Sequence, residues 1–262
     1  MPQPQSSPAW ASTGVGQLLA GSPRTGTVFA AMEVASYVTV QERDSSEQLI
    51  ALLSPSAVRL PLGVCVTGRL PTKGTDVRIG DGLVAVPGHT WRPVRWWDPR
   101  PRIVPDDLLS YGRTLVDVVL AEQASSFGLP LPDAFTVTTA LADGDATMAL
   151  DVIGLGPGLT PAADDVVAGA LAVLSLVGRL DDSVRDAISA RARTHTTALS
   201  AALLVAAGKG QMIPQAARVL KVLAAGEPYG RVSSTARELF SVGSTSGHDL
   251  CAGMAGALAA LS

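Results

Sequence analysis

Several residue types and patterns are scarce in this chain, and each scarcity closes off a class of function. Cysteine occurs only as Cys65 and Cys251, far apart and outside any C-x-x-C pair. That excludes a disulfide scaffold and a cysteine zinc cluster, and it reads as two small buried hydrophobes in a reducing cytosol. The three histidines form no H-x-x-x-H or H-E-x-x-H, so no zinc site of that kind is written into the chain. There is no G-x-S-x-G nucleophile elbow. Basic residues are not in excess: the formal net charge is −3, which argues against a nucleic-acid partner. No apolar run reaches the length of a membrane span, because glycine and charge interrupt the alanine-rich stretches near the C-terminus. Met1 to Trp10 is rich in Pro, Gln and Ser, lacks the basic and apolar regions of a signal peptide, and reads as a loose tail. These absences predict a cytoplasmic protein with neither nucleic acid nor membrane as partner. They say nothing of oligomeric state.

Aromatic residues are scarce too, at 4 %, against 47 % hydrophobic residues overall. The core must therefore be aliphatic and closely packed. Its distribution changes along the chain. Residues 11–103 look β-rich: Thr27 to Ala31 and Ser36 to Gln41 carry strand formers, Glu47 to Leu53 suits a strand or a short helix, and Val58 to Val66 is broken by Pro61 and Gly63 into two short strands. Val77 to Ile79 and Leu83 to Val86 flank Gly80-Asp81-Gly82, a hairpin signal. Trp91 to Trp97 holds three of the four tryptophans, and reads either as a binding face or as the plug of a small barrel or a domain interface. Residues 98–102 resemble a linker. Residues 104–262 then carry helical spacing, with helices expected from Pro105 to about Gly128, over 133–142 and 145–153, from Pro161 to Val177, over 182–207 as one helix or two, and over 214–225, 231–242 and 248–261. A run of strands followed by a run of helices predicts an α+β chain, with a small barrel-like sheet packed on an all-helical C-terminal half.

The stretch that points to chemistry is Gly154 to Leu171, G-L-G-P-G-L-T-P-A-A-D-D-V-V-A-G-A-L. Three glycines and a proline form a loop, Thr160 is placed as an N-cap, Pro161 at the first helical position, and Asp164 and Asp165 in the first turn. Two readings stand. Free loop and first-turn amides hold an anion while the carboxylates orient a donor, bind a metal or act as base. Alternatively, the glycines turn a corner and the aspartates cap a helix. No Lys follows the glycines, which excludes a P-loop, and the preceding segment is no clear strand, which argues against a Rossmann turn. A second stretch rhymes with the first. D-L-C-A-G at 249–253 aligns with D-V-V-A-G at 165–169, behind a polar loop in which Ser246 is an N-cap candidate. If the rhyme is real, two helix N-termini lie side by side, and the small pairs Ala168-Gly169 and Ala252-Gly253 let the backbones approach. Between them, Thr196 and Ser200 stand one turn apart, placed either to reach a ligand or to bond the preceding turn.

The signature G-L-G-P-G-L-T-P-x-x-D-D-x-x-A-G at 154–169 closely resembles that of the AllH-like bacterial family, catalogued as a domain of unknown function. The T-T-A-L-S segment at 196–200, the A-A-G at 206–208 and the S-G-x-D at 246–249 fit the same family. The best-understood relative is an oxamate carbamoyltransferase subunit, a system that moves a carbamoyl group between oxalurate and phosphate, giving oxamate and carbamoyl phosphate. The resemblance implies a carbamoyltransferase-type enzyme or enzyme subunit acting on a small carboxylate, carbamoyl or phosphorylated substrate, with partner subunits. At the two helix starts Asp165 and Asp249, with Asp164, are the catalytic candidates, placed to position the amine donor or serve as base. Gly154, Gly156, Gly158, Thr160, Thr196, Ser200, Ser246 and Gly247 are the substrate-binding candidates. One departure is visible: Ala162-Ala163 stands where the family usually has Ser-Gly. The alternatives are a non-catalytic assembly subunit and a metal-dependent hydrolase in which Asp164, Asp165 and Asp249 gather Mg²⁺. Adjacent helical residues point about 100° apart, which disfavours one ion shared by Asp164 and Asp165.

Overall fold

The computed structural model describes residues 5–41 and 47–262. These divide into two compact units between Pro99 and Arg100.

The first unit is a closed barrel of eight strands: β1 (Gln5–Ser12), β2 (Arg24–Ala31), β3 (Ala35–Gln41), β4 (Glu47–Leu53), β5 (Gly63–Cys65), β6 (Asp76–Gly80), β7 (Leu83–Val86) and β8 (His89–Trp97). The order around the barrel is β1-β5-β4-β3-β2-β6-β7-β8, closed by the parallel pairing of β1 with β8. Closure removes the exposed sheet edge that would otherwise invite aggregation. A short helix, α1 (Gly16–Ala20), follows β1. The N-terminal segment is not a loose tail throughout. Residues 1–4 lie outside the described residues, but Gln5 to Trp10 are strand, paired with β8 from Gln5↔His89 onward and with β5 at Trp10↔Cys65. Polar composition hid the strand, and its Pro8 sits close to a bulge at Ala9/Trp10, where a missing N–H is tolerated.

Glu47–Leu53 is a strand, and the Val58–Val66 segment supplies one short strand rather than two. The hairpin at Gly80–Leu83 forms as its sequence predicts: Asp81 and Gly82 both take positive φ (51° and 71°), the two-residue turn that matches strand twist. Alternation along β8 splits the tryptophan cluster. Trp91 is buried and its indole donates to the Thr67 carbonyl at 3.0 Å, whereas Trp96 is exposed. Trp91 is thus the plug, and Arg59 stacks over Trp10 and Trp97 on the outside.

The second unit is helical: α2 (Pro105–Ser110), α3 (Gly112–Leu120), α4 (Leu131–Ala142), α5 (Thr147–Val152), α6 (Ala162–Leu176), α7 (Asp182–His195), α8 (Ala198–Ala207), α9 (Pro214–Ala224), α10 (Tyr229–Phe240) and α11 (Ser246–Leu261). The helix expected from Pro105 is two, broken at Tyr111. The Thr-rich 133–142 segment is helix, and 182–207 is two helices with Thr197 capping the second. None of these helices is long and apolar enough to cross a membrane.

Two helices form the centre. Every residue of α6 from Ala162 to Leu174 is buried, as are Cys251 to Leu258 of α11. A helix buried on all sides has no amphipathic stripe, which is why these two read as continuous Ala/Gly/Val/Leu runs. They meet at the paired small residues. A Cβ on Gly169 would overlap the Leu250 carbonyl oxygen and lie 2.8 Å from the Met254 nitrogen, and a Cβ on Gly253 would overlap the Val166 carbonyl oxygen. The rhyme D-x-x-A-G is therefore a structural one: in each helix the glycine is the surface on which the other's backbone rests.

Candidate functional site

The loop before α6 is bent by its glycines: Gly154, Gly156 and Gly158 have φ of +89°, +123° and +95°, which side-chain-bearing residues rarely adopt. At Gly154 a Cβ would also overlap the His195 carbonyl oxygen. The helix begins one residue later than the sequence suggests, with Pro161 as the cap residue and Thr160 outside it. Likewise Thr245, not Ser246, caps α11. Thr160 and Ser246 are released for another role: their hydroxyls meet at 3.0 Å, joining the two helix N-termini side by side.

The two adjacent aspartates part company. Asp164 turns into the protein, where Oδ1 accepts from the Gly154 amide at 2.7 Å and Oδ2 accepts from the Ser200 hydroxyl at 2.6 Å and from the Thr196 hydroxyl. Its hydrogen-bonding capacity is used, and its partners Thr196 and Ser200 are used with it. Both hydroxyls bond Asp164 rather than a preceding helical turn. Thr197, one residue on, donates to the Leu159 carbonyl and accepts from the Ser200 amide at 3.1 Å, so the α7–α8 break clamps the glycine loop from two sides.

Asp165 faces the other way, toward α11. It is 9 % exposed, and Oδ2 has no hydrogen-bond partner. Burial pushes its carboxyl well above the usual carboxylate range; the Ser246 hydroxyl opposes this, and the charges of Asp249 and Asp164 add to it. Asp249 is fully buried at the start of α11. Its Oδ1 accepts from the amides of Gly128 and Leu129, at 2.9 and 3.1 Å, while Oδ2 has no partner. Burial raises this carboxyl as well, against the pull of Thr245, the two amides and His248. The site therefore holds two dry carboxylates, each with one oxygen unsatisfied, at the positive ends of two helices.

Two contributors escape sequence reasoning. The turn Phe127–Leu129 looked like a helix ending, yet it supplies the amides on Asp249, and Gly128 leaves no room for a side chain: a Cβ there would lie 2.6 Å from the Ala162 Cβ and 2.9 Å from Asp249 Oδ2. His248 is stacked on Phe240 (4.3 Å between ring centroids) and meets Phe127 edge-on, with Nδ1 buried and unpartnered. The sole sequence signal for these two was the scarcity of histidine and aromatics. Gly247, a binding candidate of the sequence, presses on the Leu239 carbonyl, which only a glycine permits.

The loop amides differ in availability. Those of Gly156, Gly158 and Thr160 donate to no acceptor among the described residues, but Ala163 donates to Leu155 and Asp164 and Asp165 to Pro161. The Ala162-Ala163 pair is buried. Among the described residues no group of three or more His, Cys, Asp or Glu is placed to hold a metal ion, and the Asp164 oxygens are already taken, so Asp164, Asp165 and Asp249 are not one ligand set.

No curated protein and no solved structure matches the chain. A family model does, over residues 152–258; its description is oxamate carbamoyltransferase subunit AllH. The match begins just before the glycine loop and ends within α11, and so spans both rhyming helices and both unsatisfied carboxylates. Residues 152–258 of this chain thus match the model of the family that the glycine-loop signature resembles.

Proposed function

We propose that the helical unit is a carbamoyltransferase-type enzyme or enzyme subunit that binds a small carboxylate or phosphorylated substrate through its carbamoyl group between Asp165 and Asp249. The observation that carries this reading is the pair of orphaned oxygens, Asp165 Oδ2 and Asp249 Oδ2. Buried acceptors are satisfied in nearly all folded proteins, and an unsatisfied pair calls for a ligand donor. A carbamoyl –NH2 brings two N–H groups, one for each oxygen. The free amides of Gly156, Gly158 and Thr160, with the hydroxyls of Thr160 and Ser246, receive the anionic oxygens of the same ligand. Gly154 and Gly247 shape the two loops, and Asp164, with Thr196 and Ser200, holds the first in place.

The chemistry follows from the raised carboxyl of Asp165. In transfer from oxalurate to phosphate, a phosphate oxygen forms a bond to the carbamoyl carbon, the bond from that carbon to the oxamate nitrogen breaks, and this nitrogen needs a proton. Asp165, whose carboxyl burial shifts toward the protonated form, is placed to supply it, and in the reverse direction to take it back. Asp249, tied to the Gly128 and Leu129 amides, orients the –NH2. A second reading, a non-catalytic assembly subunit, is favoured by Ala162-Ala163, which removes a hydroxyl beside the loop.

Thermal shift separates the two. Phosphate, carbamoyl phosphate, oxamate and oxalurate are each added to wild type and to Asp165→Asn. A ligand at 100 times its Kd adds about 2.7 kcal/mol to the folded state, a rise of several degrees. A rise with at least one of them, lost in the variant, is expected. No rise with any of them overturns the proposal in favour of the assembly subunit.

A further inference from the structure

The barrel unit carries a cavity that the AllH match does not reach. It holds about 600 Å³, within the range of small-molecule sites, and opens between the 67–75 loop and the β7–β8 hairpin. Its rim is built rather than slack. The buried Ser36 hydroxyl donates to the Pro71 carbonyl at 2.7 Å, the Trp91 indole donates to the Thr67 carbonyl at 3.0 Å, and the Gly74 amide donates to Val28 at 2.8 Å. Three bonds from the barrel wall thus fix the loop before any ligand arrives, which lowers the cost of binding.

The lining has one sign. Arg69 stands on it, no Asp or Glu does, and Arg69 makes no ion pair among the described residues. His89 lines it with a buried, unpartnered Nε2, its ring 4.7 Å from that of Trp91. Leu70, Pro71 and Val86 supply an apolar wall.

We infer that this cavity is a second binding site, for a small organic anion whose carboxylate or phosphate sits on Arg69 while its apolar body lies along Leu70, Val86 and Trp91. The unpartnered His89 nitrogen takes a further polar atom of the same ligand. The site is independent of Asp165 and Asp249.

The test is an NMR titration of the full chain, following the assigned Trp91 indole N–H, with benzoate and phenyl phosphate as probes and benzyl alcohol as the uncharged control at constant ionic strength. Saturable movement with at least one anion, absent with the alcohol, is expected; which anion moves it tells a carboxylate site from a phosphate site. Arg69→Gln, an exposed position, should weaken the effect about tenfold or more, the worth of a hydrogen bond to a charged group. No saturable movement with either anion, equal movement with the alcohol, or undiminished binding by Arg69→Gln would overturn the inference. Asp165→Asn should leave the titration unchanged, which separates this site from the one in the helical unit.

Discussion

Replacing Asp165 by Asn should stabilise the protein while removing its function. The side chain is nine-tenths buried, one oxygen has no partner, and Asp249 and Asp164 add repulsion. A buried acceptor left unsatisfied costs about 1–3 kcal/mol, and more when charged. The amide cannot ionise and offers an N–H to the neighbouring carboxylates. For a domain the size of the helical unit, 1 kcal/mol moves the midpoint by about 2–4 °C, so a rise of roughly 2–10 °C is expected at neutral pH. The pH dependence carries the sign. Asp165 has a folded pKa raised above the unfolded value of about 3.9, so its contribution to stability is fully present below about pH 4 and is lost as pH climbs through the folded value. The variant lacks this loss. Its advantage should be absent in acid and should widen with pH until Asp165 is ionised in wild type. Fluorescence-detected melting of both proteins across that range is the assay. A variant less stable than wild type at neutral pH, or one whose melting temperature follows pH as steeply, would refute the reasoning.

Three further outcomes follow from the same geometry. Asp164→Ala strips the acceptor from the Gly154 amide and the Thr196 and Ser200 hydroxyls, and should cost about 3 kcal/mol or more in denaturant unfolding; a loss under 1 kcal/mol, on the order of one neutral hydrogen bond, would mean the knot is not structural. Gly253→Ala drives a methyl into the Val166 carbonyl and should destabilise by about 1–3 kcal/mol, so an unchanged melting temperature would show that α6 and α11 pack less closely than described. Burial pushes the Cys251 thiol up, so a thiol reagent should spare it in the native protein and modify it only in denaturant; rapid native labelling at Cys251, read by mass spectrometry, would contradict its burial.

Much of this was legible because the signals were local. The α+β division follows from strand formers giving way to helical spacing, and the hairpin at Asp81-Gly82 from turn chemistry alone. The side-by-side helix starts were readable from the rhyme between 165–169 and 249–253, since a glycine needed for close packing recurs at the same offset from each aspartate. What was not legible depended on distant partners. Gln5 to Trp10 is strand only because β8 and β5 lie on either side of it. Nothing in D-D tells that Asp164 faces Gly154 and Ser200 while Asp165 faces α11; helical geometry separates them, but the direction of each is set by the α7–α8 break. The Gly128 and Leu129 amides lie some 120 residues before Asp249, beyond any local pattern.

The central claim is that Asp165 and Asp249 act together on one carbamoyl group. Calorimetric titration of oxalurate and of carbamoyl phosphate into wild type, Asp165→Asn, Asp249→Asn and the double variant tests it most directly. Each single substitution should weaken binding about tenfold or more, and the double should cost less than the two singles summed, because both contact the same –NH2. Binding heats unchanged in both single variants, or wild type showing no heat with either compound, would contradict the account.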